Sequence, residues 1–411
     1  MRKSKLFAGF LMTLILAACQ PVVLTPAVAP AIIQATGTAT NEPITATLPP
    51  ATPESALSLA PTGLSAATPW PTPTQGLAPL GGSEEVLFSV EERSGEEYLA
   101  KGVYLLNQVS GQLTELFGEG YQLQALSPDG HWILVNQEAN LYLAGRYGTQ
   151  PVLLSETFFN MGTVAARWTN DSGTLLWIEQ AETGTRLMSA APLGENFHLA
   201  PEKFQGNPVA LFSSPDIHNI VWAQGECTTF AVCSRDIWVG DLEADMLAHW
   251  ETMYNPVPNA AGIRIAHLIQ DAAGSHLTIG DGIVTSAQQI LDLEDDIPAD
   301  YAWLPDGKTL VALGLIRSDY TGKSFGNHVI TFTGKDWSPE VLGEVSGLNA
   351  RLSVSPDGKA IAVTATEADD SSYHLGLRVF KLAEKQLISF DEQINFSSAN
   401  YLYVPQVIWV P

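Results

Sequence analysis

From residue 83 onward, apolar and polar positions alternate over short runs, and helical periodicity is nearly absent. Clusters of Gly, Pro, Asn, Asp and Ser separate the runs. This pattern predicts short β-strands joined by tight turns. The clearest instances are "ALSPDGHWILV", "YAWLPDGKTLVAL" and "RLSVSPDGKAIAV", each a strand, a turn and a second strand. The turn has a physical logic. Ser suits the first position of a type I turn, and Pro presets φ at the second. Asp bonds back to the backbone, and Gly tolerates the positive φ at the exit.

Aligning these turns exposes a repeat. Its anchors fall at Pro128, Asn170, Pro215, Gln270, Pro305, Pro356 and Pro411, with "HLIQDAAGSHLTI" around Gln270 the weakest copy. The mean spacing is about 47 residues, which suits a four-stranded propeller blade. Within each blade we expect strand a, the turn, strand b, a variable loop, then strands c and d. "YLYVPQVIWVP" at the end of the sequence is a strand a without partners. "SEEVLFSVEERSGEEYLAKGVYLLNQVSGQLTEL", Ser83 to Leu116, is b, c and d without an a. Pairing the two closes the ring and removes free sheet edges. The expectation is an all-β, seven-bladed β-propeller closed by a blade shared between the N- and C-terminal strands. The degenerate copy leaves six or eight blades open. Trp168, Trp303 and Trp409 fall two residues before the anchors, in a column shared with Leu126, Leu268 and Val354. That substitution pattern fits inter-blade core better than an aromatic binding ring.

"LSPDGHWILV", "WLPDGKTLVAL" and "VSPDGKAIAV" resemble the WD-repeat-like propeller unit of TolB-type periplasmic proteins and related lipoproteins, whereas "TNDSG", "SPDIHN" and "QDAAG" depart from it. The resemblance covers roughly residues 83–411. It implies fold far more than function, because that repeat serves translocation partners, peptidase lids and surface adhesins alike.

The N-terminal segment changes the picture. Arg2, Lys3 and Lys5 precede the apolar run "LFAGFLMTLILAA" and then Cys19, the pattern of an export signal over residues 1–18. Leu16-Ala17-Ala18-Cys19 resembles the lipobox of bacterial lipoproteins, which implies acylation of Cys19 and a membrane anchor. Residues 19–82 are rich in Pro, Ala and Thr and carry no Lys or Arg. No helical or strand period survives that density of Pro, so the segment is expected to be a disordered, lipid-anchored tether. As a coil it would span on the order of 50 Å. Residues 83–411 form the propeller domain.

The chain carries 20 Lys and Arg against 44 Asp and Glu, a net charge of −24. Removing residues 1–18 takes three basic residues and makes the balance more acidic still. Such a surface argues against nucleic acid as partner. Beyond Cys19 the only cysteines are Cys227 and Cys233 in "GECTTFAVCSRDIW", and in an exported protein that spacing predicts a disulfide across a loop tip. The eight histidines are scattered, and nothing matches a metal-ligand spacing; no metal or other cofactor is expected.

Candidate catalytic motifs are weak. "GKSFG", with Ser324 at its centre, matches the G-x-S-x-G elbow of serine hydrolases, but that elbow needs a strand-to-helix turn. "TNDSGTLLW" faintly resembles the Asp-box of sialidase-type propellers, which is a structural hairpin in that family. The carboxylates of "LEDDIPAD" and "EADDSS" lack calcium-loop spacing and read as solvated tips. No residue is nominated as catalytic. The sequence therefore predicts an extracytoplasmic lipoprotein whose propeller is a non-catalytic binding or scaffolding module for protein or polymer partners at the cell envelope. The rival expectation is a propeller-type hydrolase acting on extracellular glycans or peptides. The b–c loop rim and the mouth of the central channel are the first places to look for recognition.

Overall fold

The structure is a computed structural model. It describes Glu84 to Pro411, apart from residues 149–150, 160–164, 170–171, 183, 191–197, 200–207, 213–218, 225–235, 242–246, 252–253, 260–263, 272–273, 282–283, 294–295, 317–325 and 370. The signal segment 1–18 and the tether 19–82 lie outside the described residues, as do Cys19, Cys227 and Cys233.

The described chain is almost entirely antiparallel strand, with one single-turn helix at Asp391–Ile394. Six sheets are each built from one continuous stretch: 121–155, 166–199, 208–251, 254–290, 297–346 and 348–398. In each, four strands follow one another in spatial order, from an inner strand a to an outer strand d. The last of these sheets gains a fifth strand, Ser397–Ser398, beside strand c.

A closing sheet joins the two ends of the domain. Glu85–Ser94, Glu97–Asn107 and Leu113–Phe117 supply b, c and d. Strand a comes from the other end in two pieces, Tyr401–Tyr403 and Val407–Trp409, both antiparallel to Glu85–Ser94. Val86 lies opposite Trp409, and Phe88 opposite Val407.

The expected seven-bladed ring is corrected on this point. Counted as repeats, the structure has six blades, each with a covalent a–b turn. The closing sheet is a five-stranded composite, not a seventh copy, because its a and b strands belong to distant parts of the chain and its inner edge is broken between Tyr403 and Val407.

The fourth blade corrects the repeat alignment as well. Its a–b turn runs from Asn259 to Arg264 between strands Tyr254–Pro258 and Arg264–Asp271. The "QDAAG" stretch around Gln270 is instead the b–c hairpin, since Asp271 lies opposite Gly274. Asn259 replaces the usual Ser: its backbone N–H donates to the Arg264 carbonyl at 2.8 Å, and its Oδ1 accepts from the Arg264 N–H at 3.1 Å. Without Pro or Asp in the turn, its sequence signal is too faint to align.

The Ser-Pro-Asp-Gly turns form as their residues dictate. Ser127 Oγ accepts from the Trp132 N–H at 2.9 Å and donates to Asp129 Oδ1 at 2.5 Å, while Gly130 N donates to the Ser127 carbonyl. Ser355, Asp357 and Ala360 repeat this, with Gly130 and Gly358 at φ 71° and 68°. Inner strands share a second device. In five of the six blades the a–b pairing slips, for example between Leu123 and Ala125 and between Pro298 and Asp300. Such bulges bend the strand and re-aim its side chains.

The core lies between blades. Along strand Trp132–Gln137, Trp132 and Leu134 pack toward the second blade, and Ile133 and Val135 toward the closing sheet. Leu310 and Ala312 face the fourth blade while Val311 and Leu313 face the sixth. The strands Trp132–Gln137, Leu310–Leu315 and Ala360–Ala368 are thus buried on both faces, which explains why "WILV", "LVAL" and "AIAV" read as unbroken apolar runs. At roughly 1.5–3 kcal/mol per buried large side chain, these layers are the main stabilising term.

Candidate functional site

Most residues singled out from sequence have structural roles where they are described. Trp168, Trp303 and Trp409 are buried. Trp303 Nε1 donates to the Val257 carbonyl of the preceding blade at 2.8 Å, and Trp409 Nε1 to the Ser353 carbonyl at 2.7 Å. All three are inter-blade core, and in Trp303 and Trp409 the indole adds a polar pin. Ser324 lies outside the described residues. The hairpin resembling an Asp-box is simply the second blade's a–b turn, where Thr169 Oγ1 accepts from the Thr174 N–H at 2.8 Å.

Among the described residues, the acidic tips bond locally. Asp369 accepts from the N–H groups of Ser371 and Ser372, both at 2.7 Å, and from Ser372 Oγ at 3.0 Å. These bonds and His374 hold its carboxyl well below the ordinary range. Ser372, His374 and Asp369 do not form a nucleophile relay. Both the serine and the carboxylate meet the same imidazole nitrogen, Nε2, at 2.9 and 2.8 Å, whereas a relay needs one on each ring nitrogen. Asp296 pairs with His328 Nδ1 at 2.7 Å. Among the described residues no three His, Cys, Asp or Glu side chains are grouped to hold a metal ion.

Two features were not legible as sites. The first is on the rim carrying the b–c loops, where the closing sheet meets the sixth blade. Tyr98 and Tyr403 meet edge to face at 6.2 Å, Tyr403 and Tyr401 stack at 6.2 Å, and Tyr401 meets Tyr373 edge to face at 5.1 Å. Arg93 lies over the Tyr98 ring, 5.3 Å from its centroid. Tyr98 is 36% exposed and its neighbour Leu99 44%. Beneath them Glu91 is buried, accepting from Tyr403 Oη and from Gln122 Nε2, the latter at 2.8 Å. Burial pushes the Glu91 carboxyl up against the opposing pull of those two bonds. Burial likewise raises the Tyr401 phenol to about 12, and burial together with the Glu91 charge lifts Tyr403 further.

The second feature is the charge carried by the inner strands. On the inner strands too, alternate positions pack toward the two neighbouring blades: Tyr301 and Trp303 toward the fourth, Ala299 and Ala302 toward the sixth. Among the described inner strands only three side chains are charged: Arg167, Asp300 and Arg351. Asp300 accepts from the Leu352 N–H at 2.9 Å and the Tyr301 N–H at 3.0 Å. Burial raises its carboxyl, and nearby Arg351 opposes the rise. Arg167, partly exposed, has no such counter-charge among the described residues. Burial alone lowers its guanidinium to about 10, and its Nε has no hydrogen-bond partner. These charges are visible in the sequence, but their place on strands a depends on strand pairing that the sequence does not display.

Sheets of four antiparallel strands, stacked face to face around an axis and closed by pairing the two ends, decide the architecture. The fold is a β-propeller. Similar solved structures include a Mycobacterium tuberculosis puromycin-hydrolyzing peptidase, with a TM-score of 0.52 and 12% identity over 74% of this chain and 53% of that one. An oligogalacturonate lyase in complex with manganese has a TM-score of 0.50 and 13% identity over 75% of this chain and 84% of that one. TolB from Acinetobacter baumannii has a TM-score of 0.44 and 12% identity, covering 80% and 83%. This chain spans about half the length of the peptidase. At such identities the likeness shows the fold alone, and propellers of this kind occur in enzymes and non-enzymes alike. No protein-family model and no curated protein matches the chain.

Proposed function

We propose that this chain is an extracytoplasmic lipoprotein, held to a bacterial membrane through Cys19, whose propeller binds a protein or polymer partner at the envelope. The observation that carries the reading is the Tyr98–Tyr403–Tyr401–Tyr373 array with Arg93 over one end. Tyr and Arg dominate binding hot spots because they offer large rigid faces and polar tips at low entropic cost. Placing them on a packed seam pre-organises the surface, which lowers the ordering cost of association. A tether of some sixty residues supports the same reading, since it raises local concentration at a membrane without fixing orientation. Of the motifs weighed for hydrolysis, Ser324 lies outside the described residues, and Ser372, His374 and Asp369 form no relay.

The test is crosslinking in native membranes with wild-type protein, Tyr98→Ala and Cys19→Ala. The binding reading expects discrete adducts that fall several-fold with Tyr98→Ala, an exposed position whose truncation leaves the core intact. Cys19→Ala should move the protein to the soluble fraction. Adducts unchanged by Tyr98→Ala would remove the rim as the binding surface. Turnover of a glycoside or peptide panel by purified protein would displace the module reading in favour of the enzyme.

A further inference from the structure

We infer that the tyrosine array on the rim is a site for a proline-rich strand in the polyproline II conformation, and that its resident occupant is this chain's own segment Thr68–Gln75, "TPWPTPTQ". The inference rests on the reading of that rim as a binding surface and adds a ligand chemistry and a form of regulation to it. Its first ground is the shape of the array. Tyr98 stands at 85° to Tyr403 and Tyr373 at 80° to Tyr401, while Tyr401 and Tyr403 lie within 21° of parallel. Two right-angled aromatic corners thus flank a stacked pair. Strand pairing of Tyr401 with Arg93 and of Tyr403 with Glu91 fixes the pair in place. Polyproline II strands dock on rigid aromatic surfaces and lose little entropy on binding, because they are preformed. Such a strand has no internal hydrogen bonds, so its carbonyls need donors. Arg93 lies over the Tyr98 ring, and among the described residues only its Nε is committed, to the Gly95 carbonyl at 3.0 Å. The rest of its fork is free to donate.

Composition, charge and reach select the occupant. Pro69, Pro71 and Pro73 alternate with Trp70 and Thr72. Polyproline II turns once about every three residues, so this alternation puts a prolyl ring on every face of the strand, and Trp70 shares a face with Pro73. Residues 63–83 carry no charge, so the exposed Glu96 and Glu97 at the rim do not repel them. The described chain starts at Glu84, beside the end of strand Glu85–Ser94 that lies away from the rim. That strand is about 30 Å long at 3.3 Å per residue. Pro73 precedes Glu84 by eleven residues, which extend to about 36 Å. The segment therefore reaches the rim within one molecule. Linkage of this length gives an effective concentration of order millimolar, enough for weak docking to keep the rim covered until a partner displaces it.

The experiment uses the full chain and a fluorescently labelled peptide of the sequence Ala67–Gln75, titrated by anisotropy. One variant combines Pro69→Ala, Pro71→Ala and Pro73→Ala, which removes the internal competitor and leaves the propeller untouched. The peptide should bind this variant saturably and wild type about tenfold more weakly, since the wild-type segment already holds the site. Adding Tyr98→Ala to the triple variant should weaken binding several-fold. A second measurement places a benzophenone photo-crosslinking residue at position 70 and maps its adducts by mass spectrometry. They should fall on the peptides carrying Tyr98–Leu99 and Tyr401–Tyr403, within one molecule and unchanged on dilution. No binding to the triple variant, equal affinity for the triple variant and wild type, or adducts scattered away from the rim overturns the assignment. Adducts that form only between molecules overturn it too, by making the occupant a second copy's segment. The partner crosslinks lost in Tyr98→Ala are a separate readout, so they can uphold the rim as a binding surface when the peptide fails. Where both readings hold, partner adducts should rise several-fold in the triple variant.

Discussion

Replacing Trp409 tests the closure of the ring at a single side chain. Trp409 is 3% exposed and packs in one cluster with Val86, Val404 and Val379, contributed by the first strand, the last strands and the sixth blade. Its backbone N–H donates to Ser353 Oγ at 3.1 Å, and its indole Nε1 to the Ser353 carbonyl at 2.7 Å. Trp409→Ala removes this packing and leaves that carbonyl short of a donor, a loss of about 3–5 kcal/mol. Trp409→Phe keeps most of the apolar contact and loses only the donor, so about 1–2 kcal/mol is expected. Against a total stability of about 5–15 kcal/mol for a domain, the alanine variant should shift the urea midpoint strongly while remaining folded in buffer. The m-value should be unchanged if the ring unfolds as one unit. A loss below about 1 kcal/mol for Trp409→Ala, or equal losses for the two variants, would refute the view that this residue staples the ends together.

The buried Glu91 gives a pH signature. Burial raises its carboxyl in the folded state, so the folded protein holds this proton more tightly than the unfolded chain. The associated stability is present below the ordinary value of 4.5 and is lost as pH rises through the folded pKa. Glu91→Gln does not titrate, so the stability of wild type relative to this variant should fall between pH 4 and pH 8 in denaturant titrations; a flat or rising difference contradicts the assignment. Cys227 and Cys233 should read as one disulfide, giving no free thiol in the unfolded, unreduced protein beyond any at Cys19; two further thiols would exclude the bridge.

The turn chemistry made most of the architecture legible. A Ser whose hydroxyl completes its own turn, and a Gly at positive φ, are needed wherever strand a reverses into strand b, so they recur where the backbone recurs. The same logic explains the misplaced fourth blade: Asn259 performs the serine's task with an amide, and the motif vanishes while the geometry stays. The blade count went astray because a strand a can be recognised by its sequence, but whether it completes a repeat or a composite sheet depends on pairing over more than 300 residues. Sites were less legible still. Tyr98 and Tyr373 sit at the starts of strands far apart in sequence, and only closure brings them, through Tyr401 and Tyr403, into one surface.

Successive turns also touch, and that contact explains one departure from the repeat. Asn259 Nδ2 donates to the Gly307 carbonyl of the next blade at 2.8 Å, and in the first pair of blades the Asp129 N–H donates to Ser172 Oγ at 3.0 Å. Ser172 occupies the position that Gly130 and Gly358 hold elsewhere, with a φ of 59°. A serine there costs about 1 kcal/mol relative to glycine, because its Cβ crowds the backbone at positive φ. The bond it makes to the neighbouring turn returns about 0.5–1.5 kcal/mol, which offsets the strain. Ser172→Gly exchanges one term for the other and should leave stability within about 0.5 kcal/mol of wild type. Ser172→Ala keeps the strain and loses the bond, so it should cost about 1 kcal/mol in urea unfolding. The order of the three proteins carries the test: an alanine variant as stable as wild type would mean that the bond between turns contributes nothing, and a glycine variant well above wild type would mean that strain outweighs it.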